Sequence, residues 1–172
     1  IIAITGSDGK TTTSTLTSLI LKEGYAGGKI YLGGNIGTPL FPLLDEIGEN
    51  DICVLELSSF QLMTMDSRAT HAAVTNITPN HLNWHIDMNE YVEAKKRIFA
   101  FQNSSSLLVL NLDDEYSEKF KKCAKGNVRT ISGNTQNGDI YFNDDGIFEN
   151  GKCILCLWDG SESHFIKSLK QK

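Results

Sequence analysis

The sequence predicts an α/β fold: a parallel six-stranded sheet with helices on both faces, followed by a small antiparallel β annex near the C-terminus. Three observations predict this fold. Short apolar segments alternate with helix-like segments over residues 1–133, an order typical of parallel strands joined by right-handed crossovers. The first apolar segment runs directly into a glycine-bracketed loop. Over residues 138–168, shorter apolar segments are separated by Asn-Asp-Asp-Gly and Asn-Gly, which are hairpin turn signals.

The composition indicates one domain and excludes several functional classes. With 172 residues and 40% hydrophobic content, the chain can bury a substantial core. The formal net charge of -5, without a long run of Lys or Arg, argues against nucleic-acid binding and against an anionic membrane surface as partner. No apolar run is long enough for membrane insertion and no secretory signal is found, so we expect a cytoplasmic location.

The loop after the first strand has the residues of a phosphate-binding site. Its two glycines let the backbone turn so that successive N–H groups point at phosphate oxygens, and the following helix adds its positive end. Lys10 is placed to contact the outer phosphates, and the Thr11 hydroxyl is placed to bind Mg²⁺. Because Ile4 occupies the first glycine position of the usual G-x-x-x-x-G-K-[ST] pattern, this is a shortened P-loop; a tight Gly- and Thr-rich turn is the alternative. The predicted nucleotide-binding residues are Gly6, Ser7, Asp8, Gly9, Lys10, Thr11 and Thr12.

The other elements follow from hydrophobic periodicity and turn residues. Leu16, Leu19 and Ile20 predict the buried face of a first helix, which Gly24 ends. Further helices are predicted at 40–47, 89–101 and 115–125, and strands at 1–5, 30–32, 52–57, 72–77, 107–111 and 128–132. In such a sheet, ligands bind at the carboxyl edge of the strands, where the loops converge.

Three further candidates follow strands and are therefore expected at that edge. Residues 33–37 contain three glycines that let backbone approach a ligand, with an ordinary flexible turn as the alternative. Glu56 lies near the C-terminal end of an apolar strand, where a carboxylate is costly to bury unless it is paired or binds a metal, so we favour a functional role. His81 and His85 could form half of a zinc site, but we favour His81 as functional and His85 as structural.

The helix around Lys95 leaves the role of this residue open. Tyr91, Ile98 and Phe99 surround Lys95 at helical spacing, so it lies on or beside the apolar face. Burial would lower its pKa and free the amine for chemistry. The pattern alone favours a lysine that reaches past the apolar face to solvent, and Lys96 has a similar setting.

The four cysteines are too few and too scattered to predict a disulfide framework. Cys153 and Cys156 form a Cys-x-x-Cys pattern within a strand-like segment. Because side chains three residues apart on a regular strand point to opposite faces, we expect neither a redox pair nor a metal site there.

In their order and spacing, these motifs resemble those of the ATP-dependent Mur ligases. The similarity covers nearly the whole chain, is weakest in the annex, and is strongest to the members that add D-glutamate to UDP-N-acetylmuramoyl-L-alanine. The four segments that carry it are Ile4–Thr12, Gly33–Gly37, Leu55–Leu62, and Thr75–Ile77 through Tyr91 and Ala94-Lys95.

The resemblance implies an amide-bond ligase of peptidoglycan synthesis that uses ATP and two Mg²⁺ ions and forms an acyl phosphate. It implies that Lys10 holds the β- and γ-phosphates, that Thr11 and Glu56 bind the first Mg²⁺, and that His81 serves the second. Lys95 matches the lysine that the family carbamylates, and the carbamate would make it a carboxylate-like metal partner, a role that replaces the one favoured by the helix pattern. The implied catalytic residues are thus Lys10, Glu56, His81 and Lys95, and the implied contacts to the muramoyl substrate are Asn35, Ser58 and Gln61.

The resemblance also implies a domain organisation. Residues 1–172 correspond to the central ATPase domain, with an α/β core at 1–133 and the annex at 138–168, and the N-terminal UDP-binding and C-terminal amino-acid-binding domains are absent. We therefore expect no ligase turnover from this chain alone. Residues 80–83 read Asn-His-Leu-Asn where the family often has Asp-His-Leu-Asp, so we expect weaker binding of the second Mg²⁺.

Two kinds of alternative remain. A sister Mur ligase that adds another amino acid, or a folylpolyglutamate synthase, would share the central motifs. A non-catalytic nucleotide-binding module is the alternative from a different class, and the joint presence of Lys10, Glu56, His81 and Lys95 argues against it.

Overall fold

The structure, a computed structural model, describes residues 1–79 and 85–156 and has the predicted α/β class. Its strands are β1 (Ile2–Thr5), β2 (Ile30–Gly34), β3 (Ile52–Glu56), β4 (His71–Val74), β5 (Leu107–Asn111), β6 (Asn127–Ser132), β7 (Ile140–Asn143), β8 (Gly146–Glu149) and β9 (Lys152–Cys156). Its helices are α1 (Lys10–Gly24), α2 (Ser59–Thr64), α3 (Met88–Ala100) and α4 (Ser117–Cys123), with a 3-10 helix at Phe41–Glu46.

All these strands form one sheet in the order β2-β3-β1-β4-β5-β6-β7-β8-β9. Strands β1 to β6 are parallel, as predicted. The antiparallel annex is also confirmed, but it continues the main sheet, because β7 pairs in parallel with the end of β6. The Asp139 carboxylate holds this junction by accepting hydrogen bonds from the N–H and hydroxyl of Thr130. The sheet therefore has nine described strands instead of six.

The centre of the sheet is covered on both faces. Ala3, Ile4 and Thr5 of β1 are all buried, although consecutive side chains of a strand point to opposite faces. Helix α1 contacts β1, β2 and β3, whereas α3 contacts β1 and β4 and packs against α2. Because β1 lies between β3 and β4, the loops after these three strands are neighbours at the carboxyl edge.

The buried face of α1 is not the predicted one. Leu19 and Ile20 are 49% and 58% exposed, whereas Ser14 and Ser18 are buried. The Ser14 hydroxyl donates to the Lys10 carbonyl oxygen at 2.9 Å, so a polar side chain is satisfied inside the core. Small side chains let a helix lie close to a sheet, and hydrophobic periodicity does not register them. The prediction was therefore wrong for Leu19 and Ile20.

Smaller differences concern single elements. The predicted strand at 72–77 ends at Val74, and the predicted helix at 40–47 is a 3-10 helix. The prediction that Cys153 and Cys156 point to opposite faces was wrong, because their Sγ atoms lie 2.7 Å apart. None of the helices in the described residues combines the length and apolar character that crossing a membrane would require.

Candidate nucleotide and metal site

The loop between β1 and α1 has the backbone that a phosphate site needs. Gly6 has a φ of 149° and lies so close to β4 that a Cβ atom there would be 1.8 Å from Thr75 Oγ1. Gly9, with a φ of 77°, precedes α1 and provides no side-chain cap. Because the first N–H groups of a helix have no partner within the helix, the first turn of α1 retains donors for an anion.

Asn76, just beyond β4, holds the middle of this loop. Its carbonyl oxygen accepts from the Ser7 N–H at 2.8 Å, and its Oδ1 accepts from the Asp8 N–H at 2.9 Å. These two loop N–H groups are thus bonded inside the protein. The first N–H groups of α1 remain as donors for a phosphate, and Asn76 was not among the predicted site residues.

The Ser7 side chain connects the loop to Thr78 and to Tyr91 of α3 through hydrogen bonds. Ser7 Oγ donates to the Thr78 carbonyl oxygen at 2.9 Å and lies 2.9 Å from the hydroxyl of Tyr91, which is fully buried. Burial raises the pKa of Tyr91, so its hydroxyl keeps its proton at neutral pH and can donate it to Ser7 Oγ. This network joins the P-loop to α3.

Glu56 meets the start of α1 because β3 lies beside β1. Thr11 Oγ1 donates to Glu56 Oε2 at 2.7 Å, and Asn35 Nδ2 donates to Glu56 Oε1 at 3.1 Å. The Asn35 N–H also donates to the Glu56 carbonyl oxygen at 2.7 Å, so Asn35 holds Glu56 through both backbone and side chain. Glu56 is only 2% exposed. Three residues predicted from separate motifs therefore form one cluster.

Two lysines contact the loop from different sides. Lys10 Nζ donates to the Ser7 carbonyl oxygen at 2.8 Å, and Lys95 Nζ donates to the Gly6 carbonyl oxygen at 2.7 Å. Lys95 is 2% exposed and its ammonium lies 4.6 Å from the centre of the Tyr91 ring. Burial, with a smaller contribution from the charge of Lys10, lowers the pKa of Lys95 to about 7. The idea that Lys95 reaches past the apolar face to solvent was therefore wrong.

His85 is buried between α2 and α3. Its Nε2 lies 2.9 Å from Ser59 Oγ, and its Nδ1 lies 3.3 Å from Glu90 Oε2. The ring of Phe60 stacks on the imidazole at 5.0 Å. These contacts agree with the structural role favoured for His85. His81 lies outside the described residues, so its predicted metal role stays a prediction.

Comparison with known proteins decides the family. The family model of the Mur ligase middle domain matches residues 4–167. The chain belongs to this family. It is 52% identical over 154 residues to a UDP-N-acetylmuramoylalanine–D-glutamate ligase of Clostridium perfringens, covering 88% of the chain and 33% of that protein. It is 46% identical over 181 residues to the same-named protein of Clostridium beijerinckii, covering 100% of the chain and 39% of that protein.

Solved structures agree with the fold of a Mur ligase middle domain. A UDP-N-acetylmuramoyl-L-alanyl-D-glutamate–2,6-diaminopimelate ligase aligns with a TM-score of 0.65 at 24% identity, over 85% of the chain and 35% of that chain. A MurF ligase from Thermotoga maritima in complex with ADP aligns with a TM-score of 0.63 at 22% identity, over 86% and 36%. The chain thus spans slightly more than a third of each of these proteins.

The predicted substrate contacts of this Mur ligase middle domain have partners inside the chain. Ser58 caps α2: its Oγ accepts from the Gln61 N–H at 3.3 Å, and its own N–H donates to Gln61 Oε1 at 2.9 Å. The pair forms a capping box, a helix start signal that the sequence contained but that was not interpreted. A contact of either residue with substrate stays a prediction.

The predicted metal ligands come together only in part among the described residues. Over residues 1–79 and 85–156, no three side chains of His, Cys, Asp or Glu come together as a metal site. Of the predicted metal residues Thr11, Glu56, His81 and Lys95, all but His81 are described. Thr11 and Glu56 are in contact, whereas Lys95 Nζ donates to the Gly6 carbonyl oxygen. A cavity of about 640 Å³ beside β5, β6 and β7 is lined by none of the predicted site residues.

Proposed function

We propose that this chain is the ATP-binding catalytic domain of a cytoplasmic ligase that adds D-glutamate to UDP-N-acetylmuramoyl-L-alanine in peptidoglycan synthesis. The observation that carries the proposal is the contact between the Thr11 hydroxyl and the buried Glu56 carboxylate at the P-loop. The names of the Clostridium relatives support the choice of amino acid. The MurF ligase that shares this fold was solved in complex with ADP, which supports nucleotide binding by this chain.

The residues around Glu56 fit a Mg²⁺ ion. Mg²⁺ prefers oxygen ligands, and the oxygens of Thr11 and Glu56 already lie 2.7 Å apart. No ion pair to Glu56 is found among the described residues, so a bound cation would balance a buried negative charge. When bound, Mg²⁺ neutralises charge that develops on the phosphate oxygens. In the proposal Thr11 and Glu56 hold the first ion, and His81 serves the second.

Lys95 is proposed to act as a carbamate. Its pKa of about 7 means that a large share of the amine is neutral near pH 7, and only the neutral amine attacks CO₂. The neutral amine forms one N–C bond as one C–O π bond of CO₂ opens, and it releases one proton to give the carbamate anion. Counted from the ammonium form, two protons are lost and a cation becomes an anion. That change would place carboxylate-like oxygens next to the P-loop. A metal ion could bind to them directly or through a water molecule.

The proposed reaction has two steps. A carboxylate oxygen of the L-alanine residue attacks the γ-phosphorus of ATP and ADP leaves, which gives an acyl phosphate. The D-glutamate amine then attacks the acyl carbon, phosphate leaves, and one proton is lost as the amide forms. Lys10 and the first N–H groups of α1 stabilise the negative charge on the transferred phosphoryl group.

The remaining parts of the protein are proposed to supply the substrates. The chain corresponds to about a third of the Clostridium ligases, and the proposal places the uridine-binding and amino-acid-binding domains in the other two thirds. In this scheme the present chain holds ATP, and the neighbouring domains bring the muramoyl carboxylate and D-glutamate to it.

The test is a substrate panel on the full-length protein. With ATP, Mg²⁺ and UDP-N-acetylmuramoyl-L-alanine, labelled D-glutamate should enter the product with one phosphate released per amide. Glu56→Gln should reduce kcat by about 10²-fold or more, as the loss of a preorganised charge-stabilising group does. Glu93→Gln, at an exposed carboxylate paired with Lys96, is the matched control and should leave kcat unchanged. Incorporation of another amino acid, or of glutamate into a folate, would contradict the proposed specificity.

A further inference from the structure

Strand β9, the last strand of the described sheet, carries two cysteines whose thiols touch. Cys153 Sγ and Cys156 Sγ lie 2.7 Å apart, in a segment that has no part in the site proposed above. Cys156 is exposed and Cys153 is half-buried, so reagents from solvent can reach the pair. On a regular strand these two side chains would lie on opposite faces.

An irregularity in the pairing of β8 with β9 brings the two cysteine side chains to the same face of the strand. Ile147 pairs with Leu155, whereas the next residue, Phe148, pairs with Cys153. One step along β8 therefore corresponds to two steps along β9, which makes Ile154 the extra residue of a β-bulge. With Ile154 left out of the alternation, the two cysteines are two register positions apart and share a face.

The residue opposite Cys156 leaves room for the contact. Cys156 pairs with Gly146, which has a φ of 159° and no side chain. A Cβ atom at Gly146 would lie 2.3 Å from the Leu155 carbonyl oxygen and 3.1 Å from the Cys156 Cα. The bulge and the glycine together turn a Cys-x-x-Cys pattern into a preformed dithiol.

We propose that Cys153 and Cys156 form a reversible intramolecular disulfide, a modification site on strand β9. With a low-molecular-weight disulfide as the oxidant, one cysteine thiolate attacks the reagent and releases its first thiol. The second cysteine then attacks the mixed disulfide, the protein S–S bond forms, and the reagent's second thiol leaves. The protein loses two hydrogens, the reagent gains them, and a dithiol reductant reverses the change.

Because the two thiols are in contact, the second cysteine attacks the mixed disulfide faster than free thiols from solution do. A mixed disulfide on one cysteine is attacked fastest by a thiol held nearby, because its effective concentration exceeds that of free thiols. A lone exposed cysteine would keep the reagent's thiol instead. Cys123 is exposed and provides this comparison in the same molecule.

Peptide mapping of the full-length protein tests the proposal. After treatment with oxidised glutathione, remaining thiols are alkylated and the protein is cut with trypsin, which leaves both cysteines in the peptide from Cys153 to Lys167. This peptide should lose two hydrogens and resist alkylation, and dithiothreitol should restore both thiols. The peptide with Cys123 should carry glutathione or the alkyl group.

Two further results decide the outcome. Cys153→Ser should leave Cys156 as a glutathione mixed disulfide, since its partner is gone. Unfolding the protein in urea before oxidation should lower the yield of the intramolecular disulfide several-fold, because the fold no longer holds the thiols together. Alkylation of both cysteines after oxidation, glutathione on both, or an equal yield from the unfolded protein would overturn the proposal.

Discussion

Thr11 Oγ1 donates a hydrogen bond of 2.7 Å to Glu56 Oε2, joining the first turn of α1 to the last residue of β3. The two residues are 45 positions apart in the chain, and the sheet order brings them together because β3 pairs directly with β1. A hydroxyl and a carboxylate at the end of a phosphate loop are a pair suited to Mg²⁺.

Glu56→Gln should therefore weaken Mg²⁺ binding in the presence of a non-hydrolysable ATP analogue. The amide keeps the size of the side chain and removes its charge, so we expect the dissociation constant for Mg²⁺ to rise about tenfold or more. Titration calorimetry measures it directly. Glu93→Gln, at an exposed position, should bind as the unmodified protein does, and equal Mg²⁺ affinity of both variants would contradict the metal assignment.

Asn35→Ala should produce a smaller loss at the same site. Asn35 Nδ2 donates to Glu56 Oε1 and thereby orients the carboxylate, so its removal should raise the dissociation constant for Mg²⁺ by up to about tenfold. Binding of the muramoyl substrate, measured separately without metal, tests the other predicted role of Asn35. A change in substrate binding with no change in Mg²⁺ affinity would show that orientation of Glu56 is not its role.

Lys95→Met should change how stability depends on pH. The native pKa of Lys95 is about 7 and its ordinary value is 10.5, so between these pH values the unfolded chain holds a proton that the native protein has released. The free energy of unfolding should therefore rise with pH above about 7, and this rise should be missing in Lys95→Met. Urea unfolding in buffers freed of CO₂ measures it.

Lys96→Met is the matched control for that experiment. Lys96 is the next residue of α3 and pairs with exposed Glu93 at 3.1 Å. Its replacement should retain the pH dependence of the unmodified protein. Parallel pH profiles for the unmodified protein and for Lys95→Met would mean that Lys95 is not the group that titrates.

Gly6→Ala should destabilise the protein through the P-loop. The added Cβ would lie 1.8 Å from Thr75 Oγ1 at a positive φ, so we expect a loss of about 1–3 kcal/mol in the free energy of unfolding. Gly24→Ala is the control, because nothing lies within 4 Å of its added Cβ at the end of α1. Similar urea midpoints for the two variants would contradict the close approach of the loop to β4.

The features that could be predicted from the sequence are those that depend on local residue patterns. The apolar strands, the shortened P-loop and the position of Glu56 at a strand end were all visible, and the parallel order then brought Glu56 to Thr11. Asn76 was not singled out, because the hydrogen bonds that it accepts from the Ser7 and Asp8 N–H groups depend on β4 lying beside β1.

The predictions failed where a side chain's surroundings come from distant residues. Hydrophobic periodicity placed Leu19 and Ile20 inside, but the sheet accepts the small Ser14 and Ser18 instead. The contact of Cys153 with Cys156 depends on a bulge that only the pairing with β8 reveals. Burial of Lys95 required the P-loop carbonyl oxygen that it contacts, which lies 89 positions away in the chain.

The most direct measurement is calorimetric binding of Mg²⁺ with a non-hydrolysable ATP analogue to the full-length protein and to its Lys10→Ala variant. Lys22→Ala, in the last turn of the same helix, is the control. We expect Lys10→Ala to weaken binding about 10²-fold and Lys22→Ala to bind normally. Unchanged binding by Lys10→Ala, or no nucleotide binding by the unmodified protein, would contradict the assignment of the β1–α1 loop as the phosphate site.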